Sequence, residues 1–361
     1  MTAPARFVGF SLAGALALLA IAGGIVFAVD PFQQYRVPSR FEARFYRPYQ
    51  RYENPGVARN YDYDRAIVAS SFFENISGSE VDRAFGYGRT MNLCTSAMTG
   101  YDARKLLETA LRTGKVKEVI YNVDYNSFSG PPDRVGYGDK LPLYLYDDAH
   151  WNDYPYVLSL VALRKSFDIV FHRQDIGYRS DRDTPWYWAD TAVFGARHVV
   201  DGLDPGDINH RFPQPMRTMD GMMASFEANV VPVVRDHPET KFIFVWPPYS
   251  IIVWVDFVQR RQLELSLDFR KRFVEILSKY PNVRIHDFHE RTDWITDLDN
   301  YRDIYHFSPK ISSQMVRDIA AGRDRITPAN VDERNEELRR IATGANLGQI
   351  IEEAKARPGP S

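Results

Sequence analysis

The chain has 361 residues, with 45 Lys plus Arg against 47 Asp plus Glu and a formal net charge of −2. That length holds one large domain with insertions, or two domains, and so even a charge balance excludes a basic field for nucleic acid. The single cysteine, Cys94, cannot form an internal disulfide, and its apolar neighbours mark it as a small core residue.

Phe7 to Val29 runs 23 residues without a charge, and Ser11 is its one conventional polar side chain. One helix of that length crosses a hydrocarbon core of about 30 Å. A secretory signal is the rival reading, because Val26-Phe27-Ala28 would serve as the end of a cleavage site. The apolar run, however, exceeds the usual signal core of about 7–15 residues. An uncleaved, single-pass anchor over residues 1–30 is expected. Arg6 precedes it and Arg36, Arg40, Arg44, Arg47 and Arg51 follow it, a balance that would keep the rest of the chain inside the cell. Residues 31–60, rich in Arg, Tyr, Pro and Phe without a steady period, read as a juxtamembrane collar with little regular structure.

From residue 61 to 325 a strand-helix rhythm sets in. Ala66 to Ala69 reads as a buried strand ending in Ser70-Ser71, Ser79 to Phe85 as a helix, and Arg89 to Cys94 as a second strand. Leu106, Leu107, Ala110 and Leu111 share one helical face that stops at Gly114, ahead of a strand from Val116 to Val123. This alternation predicts a parallel sheet. Residues 129–220 interrupt it with Pro131-Pro132, several glycines, aromatics at Tyr144, Tyr146 and Trp151, and a helix from Tyr154 to Phe171. Such a stretch is too long for a connection and is expected to be an inserted cap. Helical spacing returns from Phe226 to Val234, followed by a strand from Lys241 to Trp246, the rigid turn Trp246-Pro247-Pro248-Tyr249-Ser250, a helix pattern from Phe257 to Tyr280, and a last strand from Asn282 to Phe288. Residues 326–361 form a tail with Glu- and Arg-rich helical segments.

Chemistry concentrates at few places. A serine hydroxyl after the first strand lies where open α/β sheets put their sites, and it needs a base to become a nucleophile. Asp303-Ile304-Tyr305-His306 offers one, since a carboxylate three residues before an imidazole can accept its Nδ1 proton and leave Nε2 to face a serine. His286, Asp287, His289 and Glu290 superficially resemble metal ligands, but the spacing does not make a site, and no metal or other cofactor is expected.

Taken together, Ala69-Ser70-Ser71-Phe72-Phe73-Glu74-Asn75 and Asn300-Tyr301-Arg302-Asp303-Ile304-Tyr305-His306-Phe307-Ser308-Pro309 make the chain resemble the SGNH (GDSL-like) hydrolase superfamily. The likeness is to its membrane-anchored bacterial branch, which has a Gly-Thr-Ser-x-x-x-Asn start and an Asn-Tyr-x-Asp-x-x-His-Tyr-Ser-Pro finish. The resemblance implies a three-layer α/β/α, flavodoxin-like parallel sheet carrying the inserted cap and preceded by the transmembrane helix. It also implies Ser71 as nucleophile, with Ser70 its rival, and His306 and Asp303 as the other members of the triad. Ala97 stands where the family's oxyanion-hole glycine is usual. For the side-chain oxyanion donor, position counting favours Asp124, which cannot donate when ionised, so Asn122 or Asn126 would have to replace it. Trp246, Tyr249 and Tyr305 are expected to bind substrate. The implied activity is that of an esterase or O-acyltransferase on acyl groups of a cell-envelope polysaccharide or related polymer, in the periplasm. A catalytically inactive assembly protein that binds glycan or a membrane acyltransferase is the alternative.

Overall fold

The computed structural model describes residues 3–138, 140–173, 177–208 and 216–357. In chain order, the described helices of eight or more residues are α1 (Ala3–Val29), α2 (Gln50–Asn60), α3 (Gly78–Phe85), α4 (Gly100–Arg112), α5 (Leu160–Val170), α6 (Met219–Asn229), α7 (Ile251–Gln259), α8 (Leu263–Leu277), α9 (Pro309–Ala320), α10 (Val331–Gly344) and α11 (Leu347–Ala356). A five-stranded sheet is built from β1 (Arg65–Val68), β2 (Thr90–Asn92), β3 (Glu118–Asn122), β4 (Lys241–Trp246) and β5 (Val283–Asp287). The chain divides into two compact units, residues 1–61 with 141–185 and residues 62–140 with 186–361.

In the second unit the strands are all parallel and run β2-β1-β3-β4-β5. Numbered along the chain this is the doubly wound order 2-1-3-4-5, flanked by helices in an α/β/α arrangement, as the alternation predicts. β1 and β3 are buried along their whole length, because helices cover both faces and the strands can be apolar without a period. Ile67 and Val68 are fully buried, each contributing roughly 1.5–3 kcal/mol. α3 packs with α9, while α6 packs with both α4 and α8. The order of strands reverses between β1 and β3, so their carboxyl ends open the crevice in which such sheets bind ligands.

Two helix boundaries differ from the sequence pattern. The single helix expected from Phe257 to Tyr280 is two, α7 and α8, divided at Arg261, whose φ of 55° is left-handed. Gln262 N donates to Phe257 O at 2.7 Å and closes α7 in the manner that usually employs glycine, so composition gave no warning. The helix expected from Tyr154 to Phe171 is interrupted as well. Ser159 accepts from Ala162 N and caps α5, leaving Tyr154–Val157 as a separate turn.

In the first unit, residues 45–46 pair with 178–179 as a short antiparallel ribbon. The collar expected to be irregular contains α2, half of whose buried residues are polar, so there is no clear apolar period to read. Glu53 inside it accepts from Gln33 Nε2 at 2.7 Å and from Tyr46 N at 2.8 Å. Burial pushes its carboxyl up to about 8, against the pull of those two donors. Gly56 is required here, since a Cβ would lie 2.3 Å from Gln33 O.

Candidate active site

β1 ends because Ser70 N leaves the ladder and donates to Asn122 Oδ1 at 2.6 Å, at the end of neighbouring β3. The chain then turns into a short 3-10 helix, Ser71–Phe73, closed by Phe73 N donating to Ser70 O. Ser71 is its first residue, and an amide in that position has no partner inside the helix. Beside it, Thr95 N donates to Ala69 O at 2.8 Å and places the Thr95–Met98 turn next to the serine.

At the other end of the chain, His306 follows a turn organised by Asp303. Asp303 Oδ1 accepts from Tyr305 N at 2.9 Å and His306 N at 2.8 Å. The His306 ring Nδ1 lies 2.9 and 2.8 Å from the two carboxylate oxygens, which can only accept, so Nδ1 carries the proton. Nε2 is then the acceptor, and Ser71 Oγ donates to it at 2.8 Å. Burial raises the Asp303 carboxyl, but the His306 ring and the two amides outweigh it and hold the group below the usual carboxylate range. Ser71, His306 and Asp303 are each partly exposed, whereas Ser70 is 2% exposed and its hydroxyl has no partner among the described residues. Of the two serines, Ser71 is the one whose hydroxyl reaches the imidazole.

Aromatic rings hold the imidazole from two sides. Phe72 stacks on it at 5.5 Å and 27°, and Trp188 meets it edge-on at 5.5 Å and 86°. Trp188 Nε1 also donates to Ser71 O at 3.3 Å, and its own amide donates to Asn75 Oδ1. Asn75 of the opening motif thus fixes the segment that carries Trp188. Arg302 lies 4.7 Å over the Trp188 ring and 3.4 Å from Asp303 Oδ2. Trp188 was not anticipated from sequence, because nothing in a long insertion says which of its aromatics returns to the sheet edge.

The expected oxyanion residues differ in their surroundings. Ala97 has a φ of 51°, a left-handed conformation that favours glycine. Asn122 keeps its Nδ2 buried and without a partner among the described residues while its oxygen holds Ser70. Asn126 Oδ1 accepts from Arg217 at 3.2 Å. Asp124 caps the next turn and accepts from Tyr249 Oη at 2.6 Å, with its carboxyl raised by burial. Trp246, Tyr249 and Tyr305, expected to line a substrate groove, are instead buried. Trp246 and Tyr249 pack with Tyr125, Trp254 and His289 as core, the more favourable destination for large apolar rings close to a sheet.

Near β5, His286, Asp287 and Glu290 have protein partners, whereas both ring nitrogens of buried His289 have no hydrogen-bond partner among the described residues. His286 Nδ1 donates to Arg323 O at 2.7 Å, and Asp287 accepts from Arg270 at 2.6 Å. Among the described residues no group of three or more His, Cys, Asp and Glu is disposed to hold a metal ion.

No protein-family model and no curated protein matches the chain. One solved structure that it matches is described as "a putative platelet activating factor from Streptococcus pneumonia"; the identity is 12%, the match covers 76% of this chain and 91% of that one, and the TM-score is 0.39.

Proposed function

We propose that the protein is a membrane-anchored serine esterase or O-acyltransferase of the SGNH type, acting on acyl groups of a cell-envelope polysaccharide or related polymer. The observation that carries this reading is the Ser71-His306-Asp303 chain of hydrogen bonds at the carboxyl edge of a doubly wound sheet. In the proposed reaction Ser71 Oγ bonds to the acyl carbon as its proton passes to His306 Nε2. The tetrahedral intermediate collapses when the imidazolium returns that proton to the leaving oxygen and the bond to it breaks. Water gives a hydrolase, and an acceptor hydroxyl gives a transferase, by the same steps in reverse. Asp303 keeps the imidazole in the tautomer that accepts from serine. The amides of Ser71 and Ala97 are assigned to the oxyanion, with Asn122 the proposed side-chain donor because its N–H₂ makes no hydrogen bond to the described residues.

Hydrolysis of nitrophenyl acetate by the purified full-length chain tests the assignment. Activity is expected in the wild type and absent in Ser71→Ala, and a Ser71→Ala protein with full activity removes the mechanism. The apolar helix α1 is a candidate anchor by length and composition. A periplasmic sheet domain is part of the same proposal, and a topology reporter fused after Ser361 separates it from the inward orientation favoured by the arginine count.

A further inference from the structure

Helix α5 is built inside out. Its covered side carries Ala162, Ser166, Asp168 and Ile169, so small and polar groups occupy the protein-facing positions. Its bare side carries Leu160, Val161, Phe167 and Val170, continued by Phe171, with Leu160 at 82% and Phe171 at 61% exposure. At 100° per residue Leu160, Phe167 and Phe171 form one stripe, interrupted only by Arg164, whose stem is long enough to carry its charge to an aqueous edge. A helix beside water would show the opposite pattern. Contiguous exposed apolar surface of this kind marks a contact with a partner or a membrane.

The position of α5 identifies the partner. It packs against α1, the long apolar helix, whose covered residues include Ala22, Gly23, Val26 and Val29. At Gly23, α1 lies beside Leu158, whose Cδ2 would be in ordinary contact, 3.5 Å, with a Cβ there, so the turn leading into α5 adjoins α1. Gly23 stands six residues before the end of α1, about 9 Å along its axis. The junction is also fixed in place. Asp30, left-handed at φ 54°, follows α1 and accepts from the amides of Gln34, Tyr35 and Arg36 and from Tyr156 Oη, at 2.8 Å in the last case. Trp151, 83% exposed, and Tyr154 lie just before α5, the amphipathic rings that favour a lipid headgroup boundary.

We infer that the bare face of α5 is a second membrane contact, lying in the leaflet that surrounds the carboxyl half of α1 and setting the depth and tilt of the first unit. This rests on the proposal that α1 spans the membrane. The occupant is lipid rather than protein, because α5 packs on α1, whose own bare apolar surface any bilayer crossing would already surround with acyl chains.

The test uses the full-length chain in phosphatidylethanolamine and phosphatidylglycerol vesicles, with an environment-sensitive fluorophore on single introduced cysteines. Leu160→Cys and Phe171→Cys report on α5, Leu16→Cys on α1, and Glu337→Cys on a half-exposed residue of α10, while native Cys94 is buried. Doxyl-labelled lipid is expected to quench the Leu160 and Phe171 probes to an extent comparable with Leu16, with aqueous iodide quenching only Glu337. If Leu16 is quenched by lipid while Leu160 and Phe171 yield to iodide, the α5 contact is overturned and the anchor stands. Protection of Leu160 and Phe171 from both quenchers means a protein covers the face, which also overturns it. Iodide quenching at Leu16 as well overturns the contact and the anchor together.

Discussion

Replacing Asp303 by asparagine changes the proton inventory of the site without changing its shape. Oδ1 of Asp303 takes two backbone amides, at 2.9 and 2.8 Å, which cannot retautomerise, so the asparagine oxygen is held at that position. Its Nδ2 then falls where Oδ2 now lies, 2.8 Å from His306 Nδ1. The asparagine Oδ1 stays 2.9 Å from Nδ1 but is already shared by two amides, whereas the nearer Nδ2 can only donate, so the ring is expected to accept there and move its proton to Nε2. An Nε2–H cannot accept from Ser71 Oγ, so the base is lost although every heavy atom stays in place. In serine hydrolases the equivalent change costs about 10⁴ in turnover, which is about 5.4 kcal/mol. The second-order rate of labelling by a fluorophosphonate, measured with nitrophenyl acetate turnover, is expected to fall by about that factor in Asp303→Asn while the melting temperature stays near wild type. A variant within tenfold of wild type would refute the tautomer argument.

Other substitutions separate neighbouring roles. Ser70→Ala is expected to retain labelling, because its hydroxyl is buried and far less accessible than that of Ser71; loss of labelling with an intact fold would reverse the assignment of the nucleophile. Ala97→Gly relieves a left-handed alanine and is expected to stabilise by up to about 1 kcal/mol in thermal unfolding without loss of turnover. Clear destabilisation would contradict that strain. Trp188→Phe keeps a ring beside His306 but removes the donor to Ser71 O, a loss of about 0.5–1.5 kcal/mol, so labelling is expected to slow by roughly tenfold or less. Trp188→Ala should slow it more. Burial lowers His286 to about 4 from 6.5, with the Arg323 carbonyl opposing. The folded state then binds fewer protons than the unfolded one, so stability is complete above about pH 6.5 and is lost as pH falls towards 4, by on the order of 3 kcal/mol. His286→Gln keeps an N–H donor and should flatten that acid limb in urea titrations; an unchanged limb would mean other groups dominate it.

The parts of this molecule legible in the sequence are those where local chemistry and topology coincide. β1 and β3 announce themselves as short apolar runs, and Ser71 follows from the small residues that end the first of them. Asp303 and His306 are readable because a three-residue separation can close a turn on itself. What the chain conceals is burial and long-range return. Trp246 and Tyr249 look the same in sequence whether they line a groove or fill a core, and only the packing of Tyr125, Trp254 and His289 around them decides. Trp188 reaches the site because Asn75 captures its segment, a contact across more than a hundred residues. α2 escaped notice because half of its buried residues are polar, among them Glu53, which is held by hydrogen bonds rather than by an apolar stripe.

The proximity of one hydroxyl and one imidazole is best tested by locating the adduct itself. Peptide mass spectrometry of the full-length chain after fluorophosphonate treatment should find the added mass on Ser71 in the wild type and on no residue in His306→Ala. An adduct on another serine, or labelling of Ser71 at the wild-type rate without His306, would contradict the account.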